Sequence, residues 1–288
     1  MNEMKLRALA KINLGLDVTG CRDDGYHEVK MIMQTVFLYD RILLRITKEP
    51  GIQVKTNLSY VPSNENNLAY KAAKLLMEEF DIKSGIWIDI KKYIPVAAGM
   101  AGGSTDAAAV LVGINKLCKL ALTKKELMKF GVKLGADVPY CIMRGTALAE
   151  GIGEKLTRLP GMPDCKILIA KPPVSVSTKF VYDNLILDEK TKHPDMDVLV
   201  DDLKQKNLAG LSGHMGNLLE TVTIEKYPVI RQIKQVMRDF GSLGAMMSGS
   251  GPTVFGIFEE ETKAKVALDE IRKRELAKQL YITRPYNL

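Results

Sequence analysis

Long apolar runs are absent from this 288-residue sequence. Thr105 and Asp106 interrupt the most apolar stretch, and charged side chains such as Glu3, Arg7 and Lys11 interrupt the N-terminal segment. A helix that spans a membrane needs about 18 or more consecutive apolar residues, so we expect neither a membrane span nor a signal peptide. We therefore expect a cytoplasmic protein with no membrane partner.

Cysteine and histidine are also scarce, with four and three residues respectively. The cysteines are Cys21, Cys118, Cys141 and Cys165, and the histidines are His27, His193 and His214. No two cysteines form a CxxC pair, and the histidines do not cluster with them. This spacing excludes the common structural zinc motifs and indicates a reduced protein.

The two commonest nucleotide-binding motifs are missing as well. No segment matches GxxxxGK[ST], so the chain has no P-loop lysine, and no glycine-rich segment has the GxGxxG spacing. These absences exclude a P-loop and a Rossmann fingerprint. Any nucleotide site must be built in another way.

The composition is that of an ordinary globular protein. Hydrophobic residues make up 46% of the chain, which at this length allows a sizeable core and favours two domains. A cluster of prolines between residues 160 and 173 predicts domains at 1–158 and 159–288. The net charge is +7, but the basic residues are spread along the chain. That spread argues against nucleic acid as a partner and suits a small anionic substrate.

Hydrophobic periodicity predicts the elements that carry the candidate residues. Residues 8–18 alternate between an apolar face and a polar face that includes Lys11, which indicates a strand. Helical spacing predicts a helix over 67–80. Alternation over 86–90 predicts a strand that runs into Pro95.

The segment PVAAGMAGGSTDAAAVL, residues 95–111, joins a glycine-rich loop to an apolar helix that we expect Ser104 or Thr105 to cap. Unpaired N–H groups at a helix start, together with the helix dipole, favour a phosphate. The glycines could equally serve only tight turns or close helix packing. A second glycine-rich loop, Ser248–Gly251, favours the phosphate interpretation because the two loops could converge on one anion.

Three side chains outside these loops could carry chemistry, and each has a structural alternative. Asp137, which we place in a short connection before Pro139, could cap a helix or accept a proton from a hydroxyl group. Lys11 could be an exposed residue of a polar strand face, or a cation that offsets charge on a transferring phosphoryl group. His27 could simply be held by local hydrogen bonds, and no periodicity decides its role.

Sequence blocks in a fixed order point to a family. The blocks are AKINLGLDV at 10–18, PVAAGMAGGSTDAAAVL at 95–111, GADVPYC at 135–141 and MSGSGPTVFG at 247–256. Together they resemble the GHMP kinases, which include galactokinase, homoserine kinase and mevalonate kinase. The resemblance implies an α+β fold of two domains, the N-terminal one like the second domain of ribosomal protein S5 and the C-terminal one ferredoxin-like.

A further block, DGYHEV at 24–29, resembles particular members of that family. Those members use ATP to phosphorylate the 2-hydroxyl of a small-molecule substrate, a cytidyl-methylerythritol diphosphate, in non-mevalonate isoprenoid biosynthesis. The resemblance therefore implies a phosphotransferase with a cytosine pocket.

ATP and Mg²⁺ are the cofactors that the resemblance implies. Asn67 and Lys92 match positions near the adenosine. The residues that would line the phosphates are Pro95, Gly99, Met100, Ala101, Gly102, Gly103, Ser104 and Thr105. Met100 and Thr105 replace a leucine and a serine of the family's block, which keeps apolar bulk and a hydroxyl group. Whether Ser104, Thr105 or only phosphates and water hold Mg²⁺ stays open.

The same resemblance assigns the reacting groups and the acceptor pocket. Asp137 matches the family's catalytic aspartate, and Lys11 matches the lysine beside it. His27 matches a residue that reads the cytosine edge, and Tyr182 matches an aromatic residue that stacks on the base. The other matched positions of that pocket are Asn13, Tyr26 and Thr178.

Two other functions remain compatible with these residues. Another GHMP kinase, acting on mevalonate or homoserine, would keep the ATP loop but would not need a cytosine pocket. A non-catalytic relative would be expected to have lost Asp137, Lys11 or the glycines, all of which are present. The oligomeric state stays open between a monomer and a homodimer.

Overall fold

The computed structural model describes residues 2–288, in which helices and strands are mixed along the chain, so the expected α+β class is confirmed. The strands are β1 (Glu3–Cys21), β2 (His27–Thr47), β3 (Ile52–Thr56), β4 (Gly85–Lys91), β5 (Thr146–Glu150), β6 (Lys155–Arg158), β7 (Lys166–Lys171), β8 (Gly216–Asn217), β9 (Gly244–Met247), β10 (Val254–Phe258) and β11 (Gln279–Thr283). The helices are α1 (Leu68–Glu79), α2 (Gly102–Leu117), α3 (Lys124–Val132), α4 (Asp137–Met143), α5 (Thr178–Asp183), α6 (Met196–Gln205), α7 (Leu208–His214), α8 (Glu220–Lys226), α9 (Val229–Asp239) and α10 (Glu261–Lys273).

The elements form two compact units, and neither unit is one continuous stretch of chain. The first comprises residues 2–10, Leu38–Val96 and Ala101–Met143, and the second comprises Lys11–Phe37, Ala97–Met100 and Arg144–Leu288. The long strands β1 and β2 therefore contribute residues to both units. This division differs from the domains at 1–158 and 159–288, which rest on proline content and stay a prediction about sequence domains.

The first unit is built on a sheet in which the strands follow the order β3, β4, β2 and β1. The C-terminal part of β2 runs antiparallel to β4, and β3 runs parallel to β4. Ile86, Ile88 and Ile90 alternate along β4 and are buried, as the period of a half-buried strand requires. Helix α2 packs against both α1 and α4, and the short side chains of Ala107 and Ala108 on α2 are buried.

Two helices of this unit, α1 and α3, begin at local side-chain caps. The side chain of Asn67 accepts a hydrogen bond from the N–H of Ala69 and so begins α1. Thr123 and Glu126 form a capping box that begins α3. Helix α3 ends at Val132, before the turn at Gly135.

The C-terminal part of the second unit contains an antiparallel sheet in the order β11, β7, β10, β9. Helices connect β7 to β9, and α10 connects β10 to β11. This β–α–β–β–α–β succession is the expected ferredoxin-like arrangement. The apolar stripe of α9, with Ile230, Ile233 and Val236 buried, packs on this sheet.

The second unit also contains the C-terminal part of β1, the N-terminal part of β2, and the strands β5, β6 and β8. Part of β2 pairs with β5, which pairs in turn with β6, and β1 runs parallel to the short strand β8. The register places Gly15 opposite Gly216. Within residues 2–288, no helix has both the length and the apolar character needed to cross a bilayer.

Candidate active site

The glycine-rich loop bends sharply before α2. Ala97, Gly99 and Ala101 all lie in the left-handed region, with φ values of 50°, 71° and 56°. Such values are uncommon for alanine, and strained backbone of this kind is concentrated at functional sites. The loop is therefore held in a specific shape by its surroundings.

The first turn of α2 is not capped in the way that the sequence predicted. Gly102 and Gly103 are already helical, so Ser104 and Thr105 lie inside the first turn, and the prediction that either of them caps the helix is wrong. The N-cap is Ala101, which offers no side-chain acceptor. The N–H groups at this helix start are thus left without a side-chain cap, which fits an anion such as a phosphate.

The two glycine-rich loops lie against each other within the second unit. The hydroxyl of Ser248 donates a hydrogen bond to the carbonyl oxygen of Gly99 over 2.9 Å. A β-carbon added at Gly99 would overlap the carbonyl oxygen of Ser248, so no other residue fits there. The amide of Asn217, on β8, braces the second loop by donating to the carbonyls of Met247 and Gly249, each over 2.8 Å.

Lys11 lies on the polar face of β1, but this face is buried. Lys11 is 5% exposed and Asn13 is fully buried. The ammonium of Lys11 donates to Oδ1 of Asn13 over 2.9 Å, and its main-chain N–H donates to the carbonyl of Met100. The alternative of an exposed strand lysine is therefore wrong, since the strand face looks away from solvent.

Asp137 is the first residue of α4, followed by Pro139 in the same turn. The prediction that it lies in a short connection is therefore wrong, because the chain becomes helical as soon as it leaves the turn at Gly135. A capping role and a catalytic role for Asp137 both stay predictions.

Two residues predicted for the acceptor pocket, His27 and Tyr182, lie next to each other. The ring of His27 lies 4.9 Å from the ring of Tyr182, centroid to centroid, with the planes tilted by 41°. Nε2 of His27 lies 3.3 Å from the sulfur of Cys21, a neighbour for which the sequence held no signal. Tyr26, next in sequence, is 60% exposed.

Thr178 connects this region to the second glycine-rich loop. Its hydroxyl lies 2.8 Å from the hydroxyl of Ser250, and it begins the helix α5 that carries Tyr182. Of the residues predicted for the acceptor pocket, His27 contacts Tyr182, Thr178 shares helix α5 with Tyr182, and Asn13 is buried beside Lys11.

Asn67 and Lys92, which match positions near adenosine, are both engaged by the protein. The amide of Asn67 caps α1 and also donates to the carbonyl of Pro62 over 2.7 Å. The main-chain N–H and carbonyl of Lys92 are both hydrogen-bonded by the side chain of Asn57. Contact of either residue with a nucleotide stays a prediction.

The ammonium of Lys92 lies between two buried carboxylates. It contacts Oδ2 of Asp40 and lies 2.7 Å from Oδ2 of Asp106. Burial alone would lower the pKa of Lys92, but the two carboxylates outweigh that effect and raise the pKa. Burial raises the pKa of Asp106 to about 8, against the attraction of Lys92. Neither Asp40 nor Asp106 was identified from sequence, because the three residues come from separate segments.

The carboxylates of the described chain do not form a metal cage. Within residues 2–288, no group of three or more His, Cys, Asp or Glu side chains is placed to hold a metal ion. Mg²⁺ in kinases is usually held by substrate phosphates and water with only one or two protein oxygens.

Comparison with known proteins covers both halves of the chain. Residues 67–145 match the family model described as the GHMP kinases N terminal domain, and residues 190–277 match the one described as GHMP kinases C terminal. The two matches follow each other in the order that the resemblance implies.

Individual relatives extend this similarity to the full length. The chain is 55% identical, over 99% of both chains, to a protein named 4-diphosphocytidyl-2-C-methyl-D-erythritol kinase from Lachnospira eligens. A crystal structure of a 4-(cytidine 5'-diphospho)-2C-methyl-D-erythritol kinase is 30% identical with a TM-score of 0.83, covering 99% of this chain and all of that one. The homoserine kinase of Cytophaga hutchinsonii shares the fold, with a TM-score of 0.81 at 21% identity over 100% of this chain and 95% of that one.

Replacement of Gly99 by alanine should destabilise the protein. The left-handed backbone costs a residue with a β-carbon about 1–2 kcal/mol, and the overlap with Ser248 adds to that cost. Gly25→Ala is the matched control, since Gly25 has a φ of 82° but open space around a β-carbon. Denaturant unfolding should show a larger loss for Gly99→Ala, and equal losses would contradict the contact between the loops.

Replacement of Asp106 by asparagine should change how stability depends on pH. The folded protein keeps a proton on Asp106 up to a pH of about 8, while the unfolded chain releases it near the ordinary value of about 4. The wild-type free energy of unfolding, relative to Asp106→Asn, should therefore fall between these pH values by up to about 1.4 kcal/mol per pH unit. Parallel stability profiles from denaturant unfolding would rule out the retained proton.

Proposed function

Because the chain belongs to the GHMP kinases, among the 4-diphosphocytidyl-2-C-methyl-D-erythritol kinases, we propose that it phosphorylates the 2-hydroxyl of that cytidyl substrate with ATP. The products are the 2-phosphate and ADP, and the reaction belongs to isoprenoid precursor synthesis. The observation that carries this proposal is identity of 55% with a named relative over nearly the full length of both chains.

The first glycine-rich loop is proposed to hold the ATP phosphates. Three features support this role: left-handed backbone at Ala97, Gly99 and Ala101, a helix start without a side-chain cap, and a second glycine-rich loop packed on Gly99. Backbone N–H groups and the dipole of α2 would then do the work that a loop lysine does in P-loop proteins. Mg²⁺, when bound with ATP, adds positive charge at the phosphates.

Asp137 and Lys11 are proposed to act on the reacting groups. As the acceptor oxygen bonds to the γ-phosphorus and the bond to the β-phosphate oxygen breaks, Asp137 takes the hydroxyl proton and ADP leaves with the bond electrons. Lys11 offsets negative charge on the transferring group. Support for these roles comes from the sequence blocks, together with the burial of Lys11, which strengthens its electrostatic effect.

The acceptor pocket is proposed to recognise cytosine through His27 and Tyr182. The imidazole can hydrogen-bond the base edge, and the tyrosine ring offers a face for stacking. Their rings lie close enough to contact one base together, which supports this assignment. Thr178, on the same helix as Tyr182, and Tyr26 would border the same pocket, and Asn13 would support it beside Lys11.

The fold alone does not choose between acceptors, since a homoserine kinase shares it. An ATP-coupled assay should compare the cytidyl-methylerythritol diphosphate with mevalonate and homoserine. We expect turnover with the cytidyl substrate only, and a loss of about a hundredfold or more in kcat for Asp137→Ala, because a general base is removed. Activity on mevalonate or homoserine instead would refute the proposed acceptor, and an unaffected rate would remove Asp137 from the mechanism.

His27→Ala and Tyr182→Ala should weaken binding of the acceptor while ATP binding is unchanged. Loss of one stacked base contact is worth about 1–3 kcal/mol, so the acceptor KM should rise about tenfold or more. Tyr182→Phe should keep most of the affinity because the ring remains. Tyr60→Ala, which removes an exposed tyrosine far along the sequence from these residues, is the control. An unchanged acceptor KM in both alanine variants would exclude this pocket.

A further inference from the structure

Three charged side chains are buried together at the base of the glycine-rich loop. Asp40, Lys92 and Asp106 are 0%, 8% and 4% exposed. Asp40 comes from β2, Lys92 follows the end of β4, and Asp106 is the fifth residue of α2. We call these residues the Lys92 triad, and all of them belong to the first unit.

Asp40 holds the segment that leads into the loop. One of its oxygens contacts the ammonium of Lys92, and the other accepts the main-chain N–H groups of Tyr93 and Ile94, over 2.5 and 2.8 Å. Asn57 adds hydrogen bonds to the main chain of Lys92 itself. The chain entering the loop is therefore fixed over three successive residues.

The start of α2, which follows the loop, contacts the same ammonium of Lys92. Asp106 binds it from α2 over 2.7 Å. A β-carbon at Gly102, the first residue of α2, would lie only 3.3 Å from both the ammonium nitrogen of Lys92 and Cγ2 of Ile94. The start of α2 thus packs closely on the segment before the loop, and one lysine connects the two ends.

Stability alone does not explain why three ionisable side chains are buried together. Burying ions removes their hydration, and apolar side chains of similar volume often stabilise a core as well or better. Two aspartates also share a single ammonium, and Oδ1 of Asp106 has no hydrogen-bond partner among residues 2–288. What the triad provides is a defined spacing between the end of β4 and the start of α2.

We propose that Asp40 and Asp106 are positioning residues for ATP. Acting through Lys92 and the main chain at 93–94, they set the gap between the two ends of the loop at 95–101 and hence its shape. The inference rests on the proposed function, because the loop is assigned to ATP there. Neither carboxylate needs to touch the nucleotide.

The test measures ATP and acceptor binding separately in Asp40→Asn, Asp106→Ala and Asp106→Asn. Asp40→Asn turns an amide toward the ammonium and Asp106→Ala removes one arm of the triad, so in both the KM for ATP and the calorimetric Kd for ATP should rise about tenfold or more. The KM for the acceptor should change less than twofold. Asp106→Asn should bind ATP as wild type does at pH 7, unlike Asp106→Ala. The amide has the shape of the original side chain and keeps an oxygen that can accept a hydrogen bond from Lys92.

Asp202→Asn is the matched control. Asp202 is a buried carboxylate, bound by His214 and Asn207, that lies outside the loop and the triad. The Asp202→Asn variant should be less stable than wild type, with an unchanged affinity for ATP. Unchanged ATP affinity in Asp40→Asn and Asp106→Ala, or an equal rise in both substrate KM values, would overturn the inference.

The design separates this inference from the proposed function. Wild-type protein that binds ATP but does not phosphorylate the cytidyl substrate would refute the proposed acceptor, while the ATP affinities of the variants would still decide the role of the triad. Wild-type protein that does not bind ATP would overturn both. If Asp106→Ala does not fold, as judged by circular dichroism, Asp40→Asn and its ATP affinity decide the outcome.

Discussion

The ammonium of Lys92 is the contact on which the geometry of the glycine-rich loop depends. It joins Asp40 on β2 to Asp106 on α2, and the main chain that carries it enters the loop. In a buried setting such charges are held firmly, because breaking one partner leaves an uncompensated ion. The strained backbone at Ala97 and Ala101 persists only where surrounding contacts over-determine it, and the triad supplies such contacts at both ends.

Within the second unit, a different constraint shapes the middle of the same loop. Gly99 lies so close to Ser248 that only a residue without a β-carbon is tolerated, and Asn217 holds the opposing loop in place. Glycine therefore serves two purposes here: it allows a left-handed turn and it permits two backbones to meet. This dual use explains why the loop works without the motifs that mark P-loop and Rossmann proteins.

Alternation along a strand identifies its polar face but does not show whether that face is exposed to solvent. The strand pattern at residues 8–18 correctly predicted β1, yet Lys11 and Asn13 lie on a covered face rather than in solvent. The capping box at Thr123 was predictable because both partners lie within one turn. The start of α2 was not predictable in this way, because a helix can begin at glycine when neighbouring segments hold it in place.

The sequence by itself determined the α+β class, the positions of β1, β4, α1 and α2 and the family resemblance, because periodicity and ordered blocks are local features. It also named the members of the His27–Tyr182 pair, although only through that resemblance. Tertiary structure alone decided that Lys92 contacts both Asp40 and Asp106, that Cys21 borders His27, and that Gly99 contacts Ser248. These contacts join residues separated by up to 149 positions, and no local pattern can specify which distant side chain fills a buried space.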